Sequence, residues 1–126
     1  MPKRRRSPEA DLQRAVCEYL DRALPFGWRY WHNYQNAPTV QAQARLKALG
    51  VKAGIPDLIL AGPDRQMIAI ELKSLKGRTS PDQEDWLDWF TCCGWHAAVA
   101  RSVDDVDDSL RFAGLKPRAS VRQKTL

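Results

Sequence analysis

The chain has 126 residues, of which 44% are hydrophobic, and this size and composition suit one globular domain. Its formal net charge of +5 favours a polyanionic partner, with nucleic acid ahead of an anionic membrane. No apolar run reaches the roughly 20 residues of a membrane span, and no apolar signal segment follows the basic start, so we expect a cytoplasmic protein. The odd number of cysteines, three, argues against a disulfide framework.

Both ends of the chain are basic and lack apolar periodicity, so we expect a mobile arm over residues 1–7 and a mobile tail over residues 115–126. A single folded domain is then expected over residues 8–114. The arm can act as a solubilising segment or bind phosphates by counterion release. Its candidate phosphate contacts are Lys3, Arg4, Arg5 and Arg6.

The first predicted helix has Ser7 as its N-cap and Pro8 at its first position. Glu9 lies at the edge of its apolar face, whereas Glu18 lies on the opposite, solvated face. Glu9 is therefore the helical glutamate that could join a metal site. A first-turn acid can also serve only to stabilise the positive end of the helix.

A strand is predicted over Trp28–Tyr34 and a second helix over Ala37–Leu49, which ends at Gly50. His32 could be a general base, although a lone histidine in a strand is more often a hydrogen-bonded packing residue. The exposed side of the second helix and the residues after it are polar to basic, which fits contact with a DNA backbone and fits a solvated face equally well. These residues are Gln41, Gln43, Arg45, Lys47 and Lys52.

The most informative stretch runs from Gly54 to Lys73, where two apolar runs flank a Gly-Pro-Asp turn and predict an antiparallel hairpin. Side chains alternate between the faces of a strand, so Glu71 and Lys73 share one face, whereas Ile68, Ile70 and Leu72 point to the other. Asp57, at the start of the first strand, can join them there.

Two converging carboxylates are costly in a sheet unless a cation offsets their repulsion. Oxygen ligands without a nearby His or Cys pair favour Mg²⁺ or Mn²⁺ over Zn²⁺. A bare Glu-x-Lys is more often an ordinary surface pair. The Pro56-Asp57 pair one hairpin earlier favours a metal site instead.

After Lys73 comes a basic loop in which Lys76 and Arg78 are candidate phosphate contacts. Ser80 then begins a third helix as its cap, and Gln83 can either reach back to that cap or face the sheet. A strand over Trp95–Ala100 follows, with Arg101 at its end as another candidate DNA contact. A last helix is predicted over Val103–Phe112.

The string Gly54-Ile55-Pro56-Asp57-Leu58, followed by Ile70-Glu71-Leu72-Lys73 and by Gly77 to Gln83, resembles the virus-type replication-repair nuclease (VRR-NUC) family of the PD-(D/E)XK nuclease superfamily. The resemblance implies an α/β fold with an αβββαβ core and a mixed central sheet flanked by helices. The strand that follows the Gln83 helix should run parallel to the Glu71 strand.

The resemblance also implies a metal-dependent DNA endonuclease. Asp57, Glu71, the Leu72 carbonyl and, directly or through water, Glu9 would hold Mg²⁺ or Mn²⁺, and no small-molecule cofactor is expected. Lys73 and Gln83 would orient the attacking water. Small members of the family resemble structure-selective nucleases of phages and bacteria that act on branched DNA, such as four-way (Holliday) junctions, in replication, repair or recombination. A symmetric junction presents two equivalent phosphates, so we expect a homodimer. The alternatives are a non-catalytic DNA-binding protein on the same scaffold and a restriction-type endonuclease.

Overall fold

The computed structural model describes residues 7–33 and 37–121, and within them it contains four helices and four strands. In chain order these are α1 (Pro8–Ala23), β1 (Arg29–His32), α2 (Val40–Ala48), β2 (Leu58–Ala61), β3 (Met67–Leu72), α3 (Pro81–Cys92), β4 (His96–Ala100) and α4 (Val103–Phe112). The predicted order of elements is confirmed. No helix in the described part of the chain is long and apolar enough to cross a membrane. The arm residues Lys3, Arg4, Arg5 and Arg6, together with Tyr34, lie outside the described residues.

The strands form one mixed sheet in the order β1-β2-β3-β4. The first two pairs are antiparallel and the pair β3 and β4 is parallel, as the connection through α3 predicted. Leu58 lies opposite Ile70, so Asp57 comes one residue before the ladder at the level of Glu71. The register of the hairpin therefore brings the two acidic positions to the same end of the sheet.

Both faces of the sheet are covered by helices. Ile68, Ile70 and Leu72 face the core that contains the buried residues of α1 and α4, whereas Ala69 packs with Phe90 of α3. This alternation confirms the sorting of β3 side chains predicted from the sequence, and it places Glu71 on the α3 side of the sheet.

Helix α2 begins three residues later than predicted. Its N-cap is Thr39, whose hydroxyl accepts a hydrogen bond from the Ala42 amide (3.0 Å), so Pro38 lies before the helix rather than inside it. None of its residues is buried. The helix therefore stands on the surface of the domain between β1 and β2.

The described part of the tail packs against α1, which differs from the expectation of mobility from residue 115. Leu115 is buried, and the Arg118 amide donates to the Ala23 carbonyl (2.7 Å). The Arg118 side chain donates to the Leu24 carbonyl (2.5 Å) and lies 4.5 Å from the centre of the Phe26 ring. Folded structure thus continues to Val121, past the expected boundary at residue 114.

Candidate active site

Asp57 is held between two strands by backbone groups. Its Oδ2 accepts the Leu72 amide hydrogen bond (2.7 Å), which ties it to the end of β3. On the other side, the Asn33 amide donates to the Asp57 carbonyl (2.8 Å) and the Asn33 side chain donates to the Pro56 carbonyl (2.9 Å). Asn33 is not predictable as a site residue, because nothing in its sequence neighbourhood indicates a contact 23 residues away. These contacts leave the Asp57 carboxylate little freedom of position.

Glu71 is the most buried charged residue described, with only 2% of its surface exposed. Its Oε2 accepts a hydrogen bond from Gln83 Nε2 (3.1 Å) and lies 3.8 Å from Lys73 Nζ. Its Oε1 is buried and has no hydrogen-bond partner within the described residues. An unpaired buried carboxylate oxygen is costly, so a ligand that binds it would stabilise the site.

Electrostatics oppose ionisation of Glu71 in the absence of a cation. Burial, and after it the nearby Asp57 carboxylate, raises the pKa of Glu71 to about 8, although Lys73 acts in the opposite direction. Both causes penalise the charged form, and a cation beside the pair would reverse the balance. The pair is therefore suited to a positively charged ligand.

Gln83 makes both of the contacts that the sequence left as alternatives. Its Oε1 accepts the Ser80 amide (2.8 Å) while Ser80 Oγ accepts the Gln83 amide (3.2 Å), which completes a capping box. Its Nε2 still donates to Glu71. The Gln83 side-chain amide thus caps the N-terminus of α3 and orients the buried Glu71 carboxylate.

Gly54 allows the chain to pass close to the start of α3. It has φ +83, and a methyl group on it would lie 2.6 Å from the Asp82 carbonyl carbon. Next to it, Trp86 Nε1 donates to the Ala53 carbonyl (3.0 Å). This close approach fastens the segment that leads to Asp57 to the helix that carries Gln83. The sequence showed Gly54 only as part of a motif.

Glu9 lies on a cleft beside the carboxylates. The cleft has a volume of about 420 Å³, and Asp57, Leu72 and His32 also line it. Glu9 is exposed, and its Oε1 lies 3.5 Å from the position of a methyl group placed on Gly77. Glu18, on the other face of α1, is not part of this lining. Of the two glutamates of α1, the one that the helical periodicity favoured, Glu9, is the one that lines the cleft.

The predicted basic contacts divide into two groups. Four are exposed around the domain surface: Arg45, Lys52, Lys76 and Arg78. Arg101, by contrast, is half-buried and donates from Nη1 to the carbonyls of Ser74 and Gly77, both at 2.6 Å. This internal contact could not be predicted from its place at the end of a strand.

The residues present fit a hard divalent cation. Asp57 and Glu71 supply carboxylate oxygens, and Glu71 Oε1 is buried without a partner. No three His, Cys, Asp or Glu side chains are close enough to chelate one ion anywhere in residues 7–33 and 37–121. Glu9 is therefore not grouped with the two carboxylates as a direct third ligand, which leaves the indirect role predicted for it, through water.

A mixed sheet whose hairpin brings two carboxylates and a lysine together defines a nuclease-type α/β domain of the PD-(D/E)XK kind. The family model for the VRR-NUC domain matches residues 28–104. The chain therefore belongs to the VRR-NUC family, as its motifs indicated.

Two solved structures share this fold. One, described as a VRR_NUC domain protein, superposes with a TM-score of 0.68 at 24% identity and covers 88% of this chain and 91% of its own. Another, described as a VRR_NUC domain, gives a TM-score of 0.59 at 18% identity and covers 84% of this chain and 97% of its own. No curated protein matches the chain significantly. At these identities the likeness shows the fold alone.

Proposed function

We propose that this protein is a divalent-metal-dependent endonuclease that hydrolyses phosphodiester bonds in DNA. The observation that carries the proposal is the buried Glu71 carboxylate, which has one unpartnered oxygen and lies beside Asp57, Lys73 and Gln83. A carboxylate pair beside a polyanion opposes binding, so a protein that only bound DNA would gain nothing from it. This argument disfavours a non-catalytic scaffold.

Asp57, Glu71 and the Leu72 carbonyl would hold Mg²⁺ or Mn²⁺ at the end of β3. When bound, the ion lowers the pKa of a water molecule and offsets charge that develops on the scissile phosphate. Asp57 enters this arrangement with one oxygen already fixed by the Leu72 amide. The chain thus contributes a pair of ligands whose positions are set before the ion arrives.

Lys73 and Gln83 would act on the attacking water. The Lys73 ammonium is 3.8 Å from Glu71 Oε2 and can hold the water or, once deprotonated, accept its proton. Gln83 holds the second oxygen of Glu71 and keeps it from rotating away from the ligand position. Glu9 faces the same cleft and would act through a water molecule.

DNA would approach through basic side chains that are exposed on the surface of the domain. The stretch from Ala37 to Pro56, which includes α2, contains no acidic residue. Its exposed cations include Arg45 and Lys52. Lys76 and Arg78 add cations in the loop after Lys73. Such contacts bind phosphates without reading sequence, and binding should weaken steeply with salt. The arm cations Lys3, Arg4, Arg5 and Arg6 are proposed to add to this attraction.

The preferred substrate is proposed to be branched DNA, such as a four-way junction. Within residues 7–33 and 37–121, all the elements belong to the core of the domain or to the short α2 segment, and none of them forms a separate module that could read bases. This composition favours recognition of DNA shape over a restriction-type specificity. A homodimer would present two centres to the two equivalent phosphates of a symmetric junction.

A cleavage gel tests the proposal. Four-way junction, flap, linear duplex and single strand are incubated with Mg²⁺, Mn²⁺ or EDTA, and the four-way junction should be cut fastest in a metal-dependent manner. Glu9→Ala should reduce the rate markedly, whereas the matched Glu18→Ala should not. Binding without cleavage of any substrate would support the scaffold alternative and contradict the proposal.

The assembly state is tested separately by light scattering at several concentrations, with and without a four-way junction. A dimer of the 14.3 kDa chain at micromolar concentration is expected. A monomer that remains fully active on junctions would exclude the dimer from the mechanism.

A further inference from the structure

The turn from Ser74 to Gly77, which follows β3, is bridged by the side chain of Arg101, the first residue after β4. Arg101 Nη1 donates to the Ser74 and Gly77 carbonyls, both at 2.6 Å, and the Gly77 amide donates to the same Ser74 carbonyl at 3.1 Å. A carbonyl oxygen can accept two such bonds, and those from a guanidinium are charge-assisted. The arginine therefore closes the turn across its two ends.

The backbone of Arg101 is held in place by hydrogen bonds of its neighbours and of its own amide. The Ala100 carbonyl accepts the Lys73 amide (3.0 Å), so the ends of β3 and β4 are joined immediately before the arginine. The Arg101 amide donates to Asp105 Oδ2 (2.8 Å), and the Asp105 amide donates to Ser102 Oγ at the start of α4 (3.1 Å). The guanidinium is thus carried by backbone that is anchored to both a strand and a helix.

Gly77, at the end of the turn, lies beside two of the proposed site residues. A methyl group on Gly77 would lie 3.5 Å from Glu9 Oε1 and 3.5 Å from Lys73 Cδ. A shift of the turn would therefore change the space available to both side chains. The turn therefore lies close to the side chains of both Lys73 and Glu9.

We propose that Arg101 is a positioning residue, which holds the Ser74 to Gly77 turn so that Lys73 and Glu9 are placed beside the Asp57 and Glu71 pair. This inference rests on the proposed nuclease function. It replaces the sequence-based assignment of Arg101 as a phosphate contact, because the side chain is half-buried and its Nη1 already donates to two carbonyls inside the domain. The exposed Lys76 and Arg78 of the same loop remain the phosphate contacts.

Kinetics separate the two roles of Arg101. With the DNA that the wild type cuts best, Arg101→Ala should lower kcat at least about 10-fold and change KM by less than about twofold. Arg101→Lys, which keeps one donor group, should fall between wild type and alanine. Guanidinium ion at low millimolar concentration should partly restore the alanine variant, compared with equal NaCl. Arg29→Ala is the matched control, since Arg29 is exposed at the far end of β1.

The opposite kinetic pattern would overturn the proposal. If Arg101→Ala weakens DNA binding and lowers its salt dependence while kcat at saturating DNA is unchanged, the side chain is a phosphate contact. Should the alanine variant fail to fold, Arg101→Lys is measured alone. A wild-type kcat in that variant would equally contradict a positioning role.

Limited trypsin digestion tests the turn without any nuclease activity. Cleavage after Lys76 and Arg78 should be at least about fivefold faster in Arg101→Ala than in wild type or Arg29→Ala, because the loop is released locally. Unchanged digestion would show that the arginine does not hold the turn. If the wild type cuts no DNA, the nuclease proposal fails and the positioning role fails with it, while the digestion still reports separately on the contact.

Discussion

Two buried side-chain atoms lack a hydrogen-bond partner in the described residues, and they lie at opposite ends of the same two strands. Glu71 Oε1 is near the C-terminal end of β3, and His96 Nε2 is at the N-terminal end of β4, opposite Ile68. Burial favours the neutral form of both groups, since it raises the pKa of Glu71 and lowers the pKa of His96. Their surroundings differ.

His96 sits against the Phe112 ring, with 5.1 Å between ring centres, and lines an open groove of about 780 Å³ with Trp95. A neutral imidazole tolerates that environment. Glu71 instead has a second carboxylate, an ammonium and an amide directed at it, from Asp57, Lys73 and Gln83. An unpaired buried atom therefore indicates a site only where other charged groups converge on it.

The largest effects are expected from variants that remove one of the two site carboxylates. Glu71→Gln and Asp57→Asn should each lower cleavage at least about 1,000-fold, because they remove a charged metal ligand. DNA binding should be unchanged or tighter, since a negative charge beside a polyanion is lost. Steady-state cleavage and fluorescence anisotropy measure the two effects.

The control for that experiment is His96→Leu, which removes the other unpaired atom. It should leave cleavage within about twofold and the free energy of unfolding within roughly 1 kcal/mol, because an unsatisfied polar atom is exchanged for an apolar group. A large loss of cleavage in this variant would show that the two ends of the sheet are functionally coupled.

The pH dependence of the free energy of unfolding should report the raised pKa of the Glu71 carboxyl group. In EDTA, folded Glu71 keeps a proton up to about pH 8, whereas the unfolded chain loses it near its ordinary pKa of 4.5. The folded state binds more protons in that window, so the free energy of unfolding should fall by roughly 2 to 4 kcal/mol as pH rises through it.

Urea titrations between these pH values measure that slope. Glu71→Gln should flatten it, and Mg²⁺ should restore stability to the wild type at pH 8 by binding the ionised pair. Equal slopes in wild type and Glu71→Gln would contradict the raised pKa.

The packing that brings the site together can be tested with two glycines of similar conformation. Gly54 and Gly50 have φ +83 and +89, but only Gly54 lies against another element, 2.6 Å from the backbone of Asp82 for an added methyl group. Gly54→Ala should therefore lower the free energy of unfolding by about 2 kcal/mol more than Gly50→Ala. Both variants place alanine at a positive φ, but only the Gly54 variant also brings a methyl group against Asp82. Urea unfolding measures the difference. Equal losses of stability in the two variants would mean that α3 can move away from the added methyl group without a cost in free energy.

The smallest expected effect separates the two roles of Gln83. Gln83→Ala loses part of the capping box and the contact to Glu71, whereas Ser80→Ala loses only the cap. Both should cost about 1 kcal/mol in stability, but only Gln83→Ala should reduce kcat, by about 10-fold. A similar fall of kcat in Ser80→Ala would assign the effect to the helix start.

The sequence by itself determined the order of elements, the hairpin and the faces of β3. These features depend on contacts between near neighbours: alternation with a period of two sorts Ile70 from Glu71, and caps such as Ser80 bond groups three residues away. The hairpin turn also limits the register, which is why Asp57 and Glu71 could be paired before the structure was known.

Only the tertiary structure decided how that pair is held. Asn33 reaches Pro56 across 23 residues, Arg101 reaches Ser74 across 27, and Arg118 reaches Leu24 across 94. Such contacts depend on how helices and strands pack together, and a local pattern of polar and apolar residues contains no information about them. The same reason applies to Gln83: the sequence left the helix cap and the sheet as alternatives, and the packing of α3 against β3 lets one side chain make both contacts.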